Sequence, residues 1–485
     1  MSRTATPAAR RLSGWTTASY GFGSVAYGVK DAGFGTFLLI FYNQVVGLSA
    51  STVGLIIFVA LVCDAFVDPM IGVLSDRTHG RWGRRHPWMY AAALPIAVGW
   101  LLLWNPPHMG GGGTLLWLFA TAVIVRSAVS CYEVPSQALT PELTSDYDER
   151  TRITSYRYLF GWAGGLTILL LAYGIFLTPS AAYPNGLLNR VGYSHLSIAS
   201  ALIMFVAILA SAFGTHHEIA RLPKTVASRQ SLGDSFRELW ETVQNRGFVI
   251  LMLAGICAYT NQGISYALSN YLYNYVWQFK SGTLQLLPLA LMAGAALAFV
   301  IAPAVGKRTS KPHAAMAFVL IATVFHTMPY WLRFAGVLPP PGSTALVLIL
   351  LPIFVIATAL SVSSFILGAS MMADVVEDSE ARTGRRSEGV YFAGSFFVQK
   401  CTSGLGIMIV GQLLDLVAFP KDAKQGMVPE AVIDHLTIAY IAIYGVLAVI
   451  AATLFVKFPF GRHEHEARLA RMTAAAELEG APHAP

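Results

Sequence analysis

The stretch Leu61-Val-Cys-Asp64-Ala-Phe-Val-Asp68-Pro69-Met-Ile-Gly72-Val-Leu-Ser75-Asp76-Arg77 sets two aspartates four residues apart inside an apolar segment. On a helix that spacing turns both carboxylates to one face. Each charge near the centre of a membrane helix costs roughly 2.5–3.5 kcal/mol. A chain that keeps two of them there has a use for them, and the usual uses are cation binding and proton relay.

On either side of this pair the chain stays apolar. Of its 485 residues 55% are hydrophobic and 12% are charged, against about 25% charged in soluble proteins. The apolar residues come in long blocks, and a helix needs about 20 of them to cross a bilayer. Twelve blocks qualify: 18–46, 50–75, 87–105, 114–141, 156–178, 194–214, 247–278, 284–305, 313–334, 344–374, 388–418 and 434–458. The pattern predicts an all-α membrane protein. The N-terminus is polar and basic, with no cleavage site behind a short apolar core, so no removable signal peptide is read.

The net charge of +7 does not point to nucleic acid. The basic residues gather in the N-terminus, in alternate connections and in the C-terminus, as Arg77, Arg81, Arg84 and Arg85 do after the second block. The intervening connections are sparse in Lys and Arg. By the positive-inside rule this asymmetry puts both termini in the cytoplasm of a multi-pass inner (plasma) membrane protein. Cys63, Cys131, Cys257 and Cys401 all fall within predicted helices, so no disulfide framework is implied.

The longest basic-side connection divides the chain into a six-helix bundle at 1–215, a linker at 216–246, a second bundle at 247–460 and a tail at 461–485. Within the linker, Ser231–Asn245 reads as an amphipathic surface helix, with Leu232, Phe236, Leu239, Trp240 and Val243 on one side. The halves echo each other. Gly72 to Arg85 after the second block corresponds to Gly306 to Lys311 after the eighth. Glu142 to Arg152 after the fourth corresponds to Asp374 to Glu388 after the tenth. Such echoes imply parallel repeats with a substrate cavity where they meet.

The run Asp64-x-x-x-Asp68-Pro69-x-x-Gly72-x-x-Ser75-Asp76-Arg77, followed by Trp82-Gly83-Arg84-Arg85-x-Pro87-Trp88, resembles the glycoside–pentoside–hexuronide:cation symporter family of the major facilitator superfamily. So does Ala373-Asp374 through Thr383-Gly384-Arg385-Arg386-x-Glu388-Gly389, with Lys400 on the next helix. The resemblance covers about 20–460 and implies twelve helices in two bundles, alternating access, and symport of a sugar with a cation. It further implies that Asp64 and Asp68 hold the cation, that Glu133 contacts sugar, and that Arg157 and Lys400 match the family's arginine and lysine. Lys30-Asp31 resembles its first-helix pair. The chain departs from the melibiose type at three places. Val67 stands where an asparagine adds an oxygen to the sodium site, Gln137 stands where a tryptophan is expected, and Arg126 is extra.

Apart from Asp415, the intramembrane ionisable residues are four acids (Asp31, Asp64, Asp68, Glu133) and four bases (Lys30, Arg126, Arg157, Lys400). A near-neutral buried constellation is expected, since unpaired charges in lipid are costly. Asp64 and Asp68, with Ser130 as the nearby hydroxyl, can share a proton or take a monovalent cation; with Val67 in place of an amide, a proton is favoured over sodium. The opposing reading is that the acids only pair with Lys400 or Arg126 to join helices. Asp31, Glu133 and Arg157 are candidates for sugar hydrogen bonding, Lys30 is a further substrate-site candidate, and Tyr27, Tyr132, Tyr158 and Trp162 are candidates for stacking. Arg126 is expected either to hold Glu133 or to bind a carboxylated substrate. Lys400 is expected to link cation and sugar occupancy. Asp76, Arg77, Arg84 and Arg85, mirrored by Asp374 and Arg385, form a predicted gate.

Protease, hydrolase and nucleotide motifs are missing from the sequence, so no enzyme activity is read and the energy source is an ion gradient. His463-Glu464-His465-Glu466 reads as solvated charge, with no metal or cofactor expected. The sequence therefore predicts a cation-coupled sugar or glycoside symporter, working with the lipid bilayer and a small solute and expected as a monomer. Alternatives are the same fold carrying a uronate, a sulfonated sugar or a lysolipid, and a non-transporting membrane sensor or scaffold.

Overall fold

The computed structural model describes residues 12–144, 146–222, 243–306, 308–383 and 388–459. Most of the expected surface helix Ser231–Asn245, Arg385 and the tail from 460 lie outside these residues. Among the described residues, eleven helices are long and apolar enough to cross a membrane. An interrupted rod, α1 (14–45), precedes them. The others are α2 (Ala50–Arg77), α3 (His86–Trp104), α4 (Gly111–Leu143), α5 (Tyr147–Leu171) and α6 (Arg190–His216), then α7 (Arg246–Tyr271), α8 (Leu286–Gly306), α9 (Lys311–Phe334), α10 (Thr344–Thr383), α11 (Glu388–Leu416) and α12 (Glu430–Val456).

α1 is interrupted because its sequence is rich in glycine and polar residues. The Ser13 hydroxyl accepts from the Thr16 N–H at 3.0 Å and starts the first piece, which runs to Phe22 and breaks at Gly23. The second piece, Ser24–Ala32, carries Lys30 and Asp31 and leads into a wide π turn at Gly33–Phe37. Another π turn, Phe41–Val45, ends the rod. Such turns inside helices are frequent at functional sites. α1 lies directly on the backbone of α5. A Cβ on Gly28 would collide with the Gly161 carbonyl, and one on Gly164 with the Val25 carbonyl. Gly161 and Gly165, four apart, supply the small-residue face that such packing needs.

The helices that bear the central acids also bear prolines. Pro69 follows Asp68 in α2 and Pro135 lies two residues after Glu133 in α4. Each removes one backbone hydrogen bond from its helix. α2 packs on α4, α4 on α3, α3 on α6, and α6 on α1.

Some predicted loops are helical. α10 continues to Thr383, so Asp374 lies within the helix and not at its end. Glu142 likewise falls in the last turn of α4. The segment Val375 to Arg382 is rich in good helix formers such as Glu, Ala and Arg, which prolong a helix beyond an apolar core.

The contacts divide the chain into two compact units. Unit 1 holds α1–α6 together with the second part of α7, from Gly263, and the second part of α11, from Ser403. Unit 2 holds the first parts of α7 and α11, α9 and α10, and most of α8 and α12. Its core is an apolar cluster that includes Phe248, Phe318, Met371, Tyr391 and Phe455, with the Phe248 and Tyr391 rings edge to face at 5.2 Å.

Candidate functional site

The central acids of unit 1 are gathered by α4. Arg126 and Ser130 stand four residues apart and therefore share a face of that helix. The face grips Asp64 of α2 by both oxygens. Arg126 donates to Oδ2 from Nε at 3.1 Å and from Nη2 at 2.7 Å, while the Ser130 hydroxyl donates to Oδ1 at 2.7 Å. The Arg126 and Asp64 side chains are only 3% and 2% exposed. Phe34 of α1 covers the guanidinium, whose centre lies 5.2 Å from the ring. Buried pairs of this kind contribute little net stability when intact, but removing one partner costs about 3–5 kcal/mol.

Some of the remaining predicted residues of this unit lie near that pair. Asp68, half-buried one turn further along α2, and Asp31 of α1 both lie within electrostatic reach of Arg126. Lys30 pairs with Asp31 at 2.8 Å and sits 4.3 Å from the Tyr27 ring centre. Lys30 is buried, whereas the Asp31 carboxylate is 45% exposed. Glu133 accepts from the Gln137 amide at 2.9 Å and interacts electrostatically with Arg157 and Tyr27. Arg157 of α5 donates to the Ser136 hydroxyl at 2.7 Å and lies 5.2 Å from the Tyr20 ring centre. Tyr132 is buried, and Tyr158 and Trp162 are exposed. Lys400 is half-buried on the part of α11 that belongs to unit 2.

Sequence spacing offered Arg126 to Glu133, two turns along the same helix, or to a substrate carboxylate, while the opposing reading paired the α2 acids with Arg126 or Lys400. The guanidinium forks onto Asp64 of the neighbouring helix, a partner that the opposing reading named, and Glu133 interacts electrostatically with Arg157.

A second charged network closes the Arg77 end of α2. Gly83, at φ +70°, adopts a left-handed turn that favours glycine. The turn leads into Arg84 and Arg85, which reach back to α2 and α4. Arg85 pairs with Asp76, donates to the Ser75 hydroxyl at 2.7 Å and reaches Glu142 of α4 at 3.0 Å. Arg84 joins the same Glu142 oxygen at 2.8 Å. Arg77 is exposed. In unit 2 the corresponding pair is Lys311 of α9 and Asp374 of α10, at 2.7 Å.

The opposite end of unit 1 is tied by neutral groups and one carboxylate. Asp415 of α11 accepts from the Ser49 hydroxyl at 2.5 Å, from the Ser51 N–H at 3.1 Å and from the Ser51 hydroxyl. It thereby sits at the N-terminus of α2, where the helix dipole favours an anion. The Tyr271 hydroxyl donates to Asn43 at 2.9 Å, and Asn270 of α7 donates to the Thr36 carbonyl at 2.9 Å. Between these contacts α2 and α11 touch backbone to backbone, because a Cβ on Gly411 would collide with the Ala50 carbonyl.

A family model described as MFS/sugar transport protein matches residues 19–462. The chain belongs to this family. The isoprimeverose transporter of Lactiplantibacillus pentosus is 28% identical over 409 residues, covering 84% of this chain and 81% of that protein. The putative glycoside/cation symporter YagG of Escherichia coli (strain K12) is 26% identical over 433 residues, covering 88% of each. In three dimensions the chain is similar to the crystal structure of a D-xylose-proton symporter, with a TM-score of 0.62 over 92% of this chain and 97% of that one. At 14% identity that likeness shows the fold alone. The protein is thus a multi-pass carrier of the major facilitator superfamily, a secondary transporter of the sugar and glycoside class and not an enzyme.

In this MFS carrier, sequence reasoning missed the partners more often than the acids. Glu142 opens one of the echoing segments, so a signal for it existed. Ser136 and Tyr20, which hold Arg157 and each other, come from different helices, and no spacing links them.

Proposed function

We propose that this carrier couples the movement of a cation, a proton in preference to sodium, to symport of a sugar or glycoside by alternating access. The observation that supports this most is the buried grip of Arg126 and Ser130 on Asp64, one turn from Asp68. Within unit 1 the cluster sets four acids (Asp31, Asp64, Asp68, Glu133) against three bases (Lys30, Arg126, Arg157). The relatives named as glycoside/cation and isoprimeverose carriers support the same class of cargo.

Asp64, Asp68 and Ser130 form the cation site in this reading. Asp31, Lys30, Tyr132, Glu133 and Arg157 meet the sugar: carboxylates accept from its hydroxyls and the guanidinium donates in a fork. Lys400 links the two occupancies. The Asp76–Arg85–Glu142 network and the Lys311–Asp374 pair are gates that hold one state and release in the other. The Arg-rich ends, and with them both termini, face the cytoplasm of the plasma membrane, and the carrier works as a monomer.

The test is uptake in proteoliposomes of the full chain, with a panel of sugars and glycosides and imposed proton or sodium gradients. Gradient-driven accumulation is expected, and Asp68→Asn reduces it at least about tenfold, to equilibration only. Undiminished uphill accumulation by Asp68→Asn refutes the cation role.

A further inference from the structure

We infer that Arg126 is the ion-selectivity residue of this carrier. Its guanidinium occupies the position on Asp64 that a metal cation would take, so the acid pair accepts a proton and excludes sodium and lithium. The inference rests on the cation-coupled reading above and names its ion.

Three observations carry it. First, Asp64 already has a monovalent cation. The guanidinium reaches Oδ2 through two N–H groups at 3.1 and 2.7 Å, in a site where both partners are almost fully buried. Replacing one monovalent cation by another neutralises no additional charge, and it leaves a displaced guanidinium beside the newcomer. Second, the other oxygen is taken by Ser130 at 2.7 Å. A metal ion needs several oxygens converging on it, and the neighbouring side chain at 67 is valine. Third, a proton escapes the second difficulty and eases the first, because it turns Asp64 into a neutral acid and leaves no second cation beside the released guanidinium. It needs one carboxylate oxygen, and the Ser130 hydroxyl, now a donor to Oδ1, can turn and accept from the protonated acid. Protonation of Asp64 removes the charge that holds the fork. Asp31 and Asp68, both within electrostatic reach of Arg126, then compete for the guanidinium. Proton arrival is thereby converted into a side-chain movement between α2 and α1. The proton adds to a carboxylate oxygen from water on one side and returns to water on the other, with no other bond made or broken.

The test reads ion binding on the purified full-length carrier, by thermal unfolding in sodium or lithium chloride against choline chloride at constant pH and ionic strength. The wild type is expected to shift by less than about 1 °C across the series. Arg126→Gln vacates the position and is expected to gain a dose-dependent rise of at least about 3 °C with sodium. Arg126→Lys keeps the charge and stays indifferent. Val67→Asn also stays indifferent, because the added oxygen does not remove the guanidinium. A sodium-dependent rise in the wild type overturns the inference, as does a folded Arg126→Gln that ignores sodium. A sodium response in Val67→Asn overturns it too, by assigning the exclusion to a shortage of oxygens. The wild-type and Val67→Asn arms keep the test decisive if Arg126→Gln fails to fold. Because the readout involves no transport, a failure of symport appears only in the uptake assay and stays separate.

Discussion

Helix α2 meets an arginine twice, and the two meetings differ in what surrounds them. In its middle, Asp64 and Arg126 are sealed from solvent, and Asp64 accepts two hydrogen bonds from Arg126 and one from Ser130. At its Arg77 end, Asp76 is 35% exposed and shares Arg85 with Glu142 and Ser75. A sealed pair is expensive to break one-sidedly and insensitive to salt. A buried but shared arginine with a partly exposed acid among its partners can exchange partners at less cost, and its Asp76 contact is screened by salt. The first arrangement suits a site that responds to a single bound charge; the second suits a latch that opens and closes every cycle.

Substitutions at the two places should therefore separate sharply. Arg126→Ala strands a buried carboxylate and is expected to destabilise the carrier by about 3–5 kcal/mol, read as a lowered midpoint in thermal unfolding. An effect below about 1 kcal/mol would mean that the middle of α2 is as wet as its end. Arg85→Ala removes charge-assisted hydrogen bonds from a buried arginine whose partner Asp76 is partly exposed, and about 1–3 kcal/mol is expected, with the Asp76 share of the loss shrinking as salt is raised. Equal loss at all ionic strengths would erase the distinction. Lys311→Ala in unit 2 removes a half-exposed lysine from both oxygens of Asp374, whose side chain is only 10% exposed, and about 1–2 kcal/mol is expected. The smallest change is expected from Asp415→Asn. It keeps most of the hydrogen-bonding shape at the start of α2 and loses only the dipole contribution of about 0.3–1 kcal/mol, detectable as a slight shift in the same unfolding assay.

The same contrast explains what could be read from the sequence. Asp64 and Asp68 announce themselves because charge inside an apolar block is costly and their spacing fixes a shared face. The basic ends are legible because topology selects them. Spacing along one helix cannot say how neighbouring helices are rotated, so the sequence leaves Arg126 between Glu133 on its own helix, a substrate carboxylate and the acids of α2, and the α2–α4 contact pairs it with Asp64. The interruption of α1 at Gly23 and Gly33 is foreshadowed by glycine content alone, whereas its π turns depend on packing. α10 outlasts its apolar block because Glu, Ala and Arg sustain a helix in water as well as in lipid, so hydropathy underestimates its length.

The glycine contact between α2 and α11 bears on leakage. With Gly411 lying against the Ala50 carbonyl, and a Cβ on Gly54 just 3.0 Å from the Ile407 carbonyl, the two backbones touch at these points with no side chain between them. On the proton-coupled reading proposed above, such a seam matters as much as the acids themselves. A chain of water running past Asp64 would short-circuit the gradient without moving any cargo.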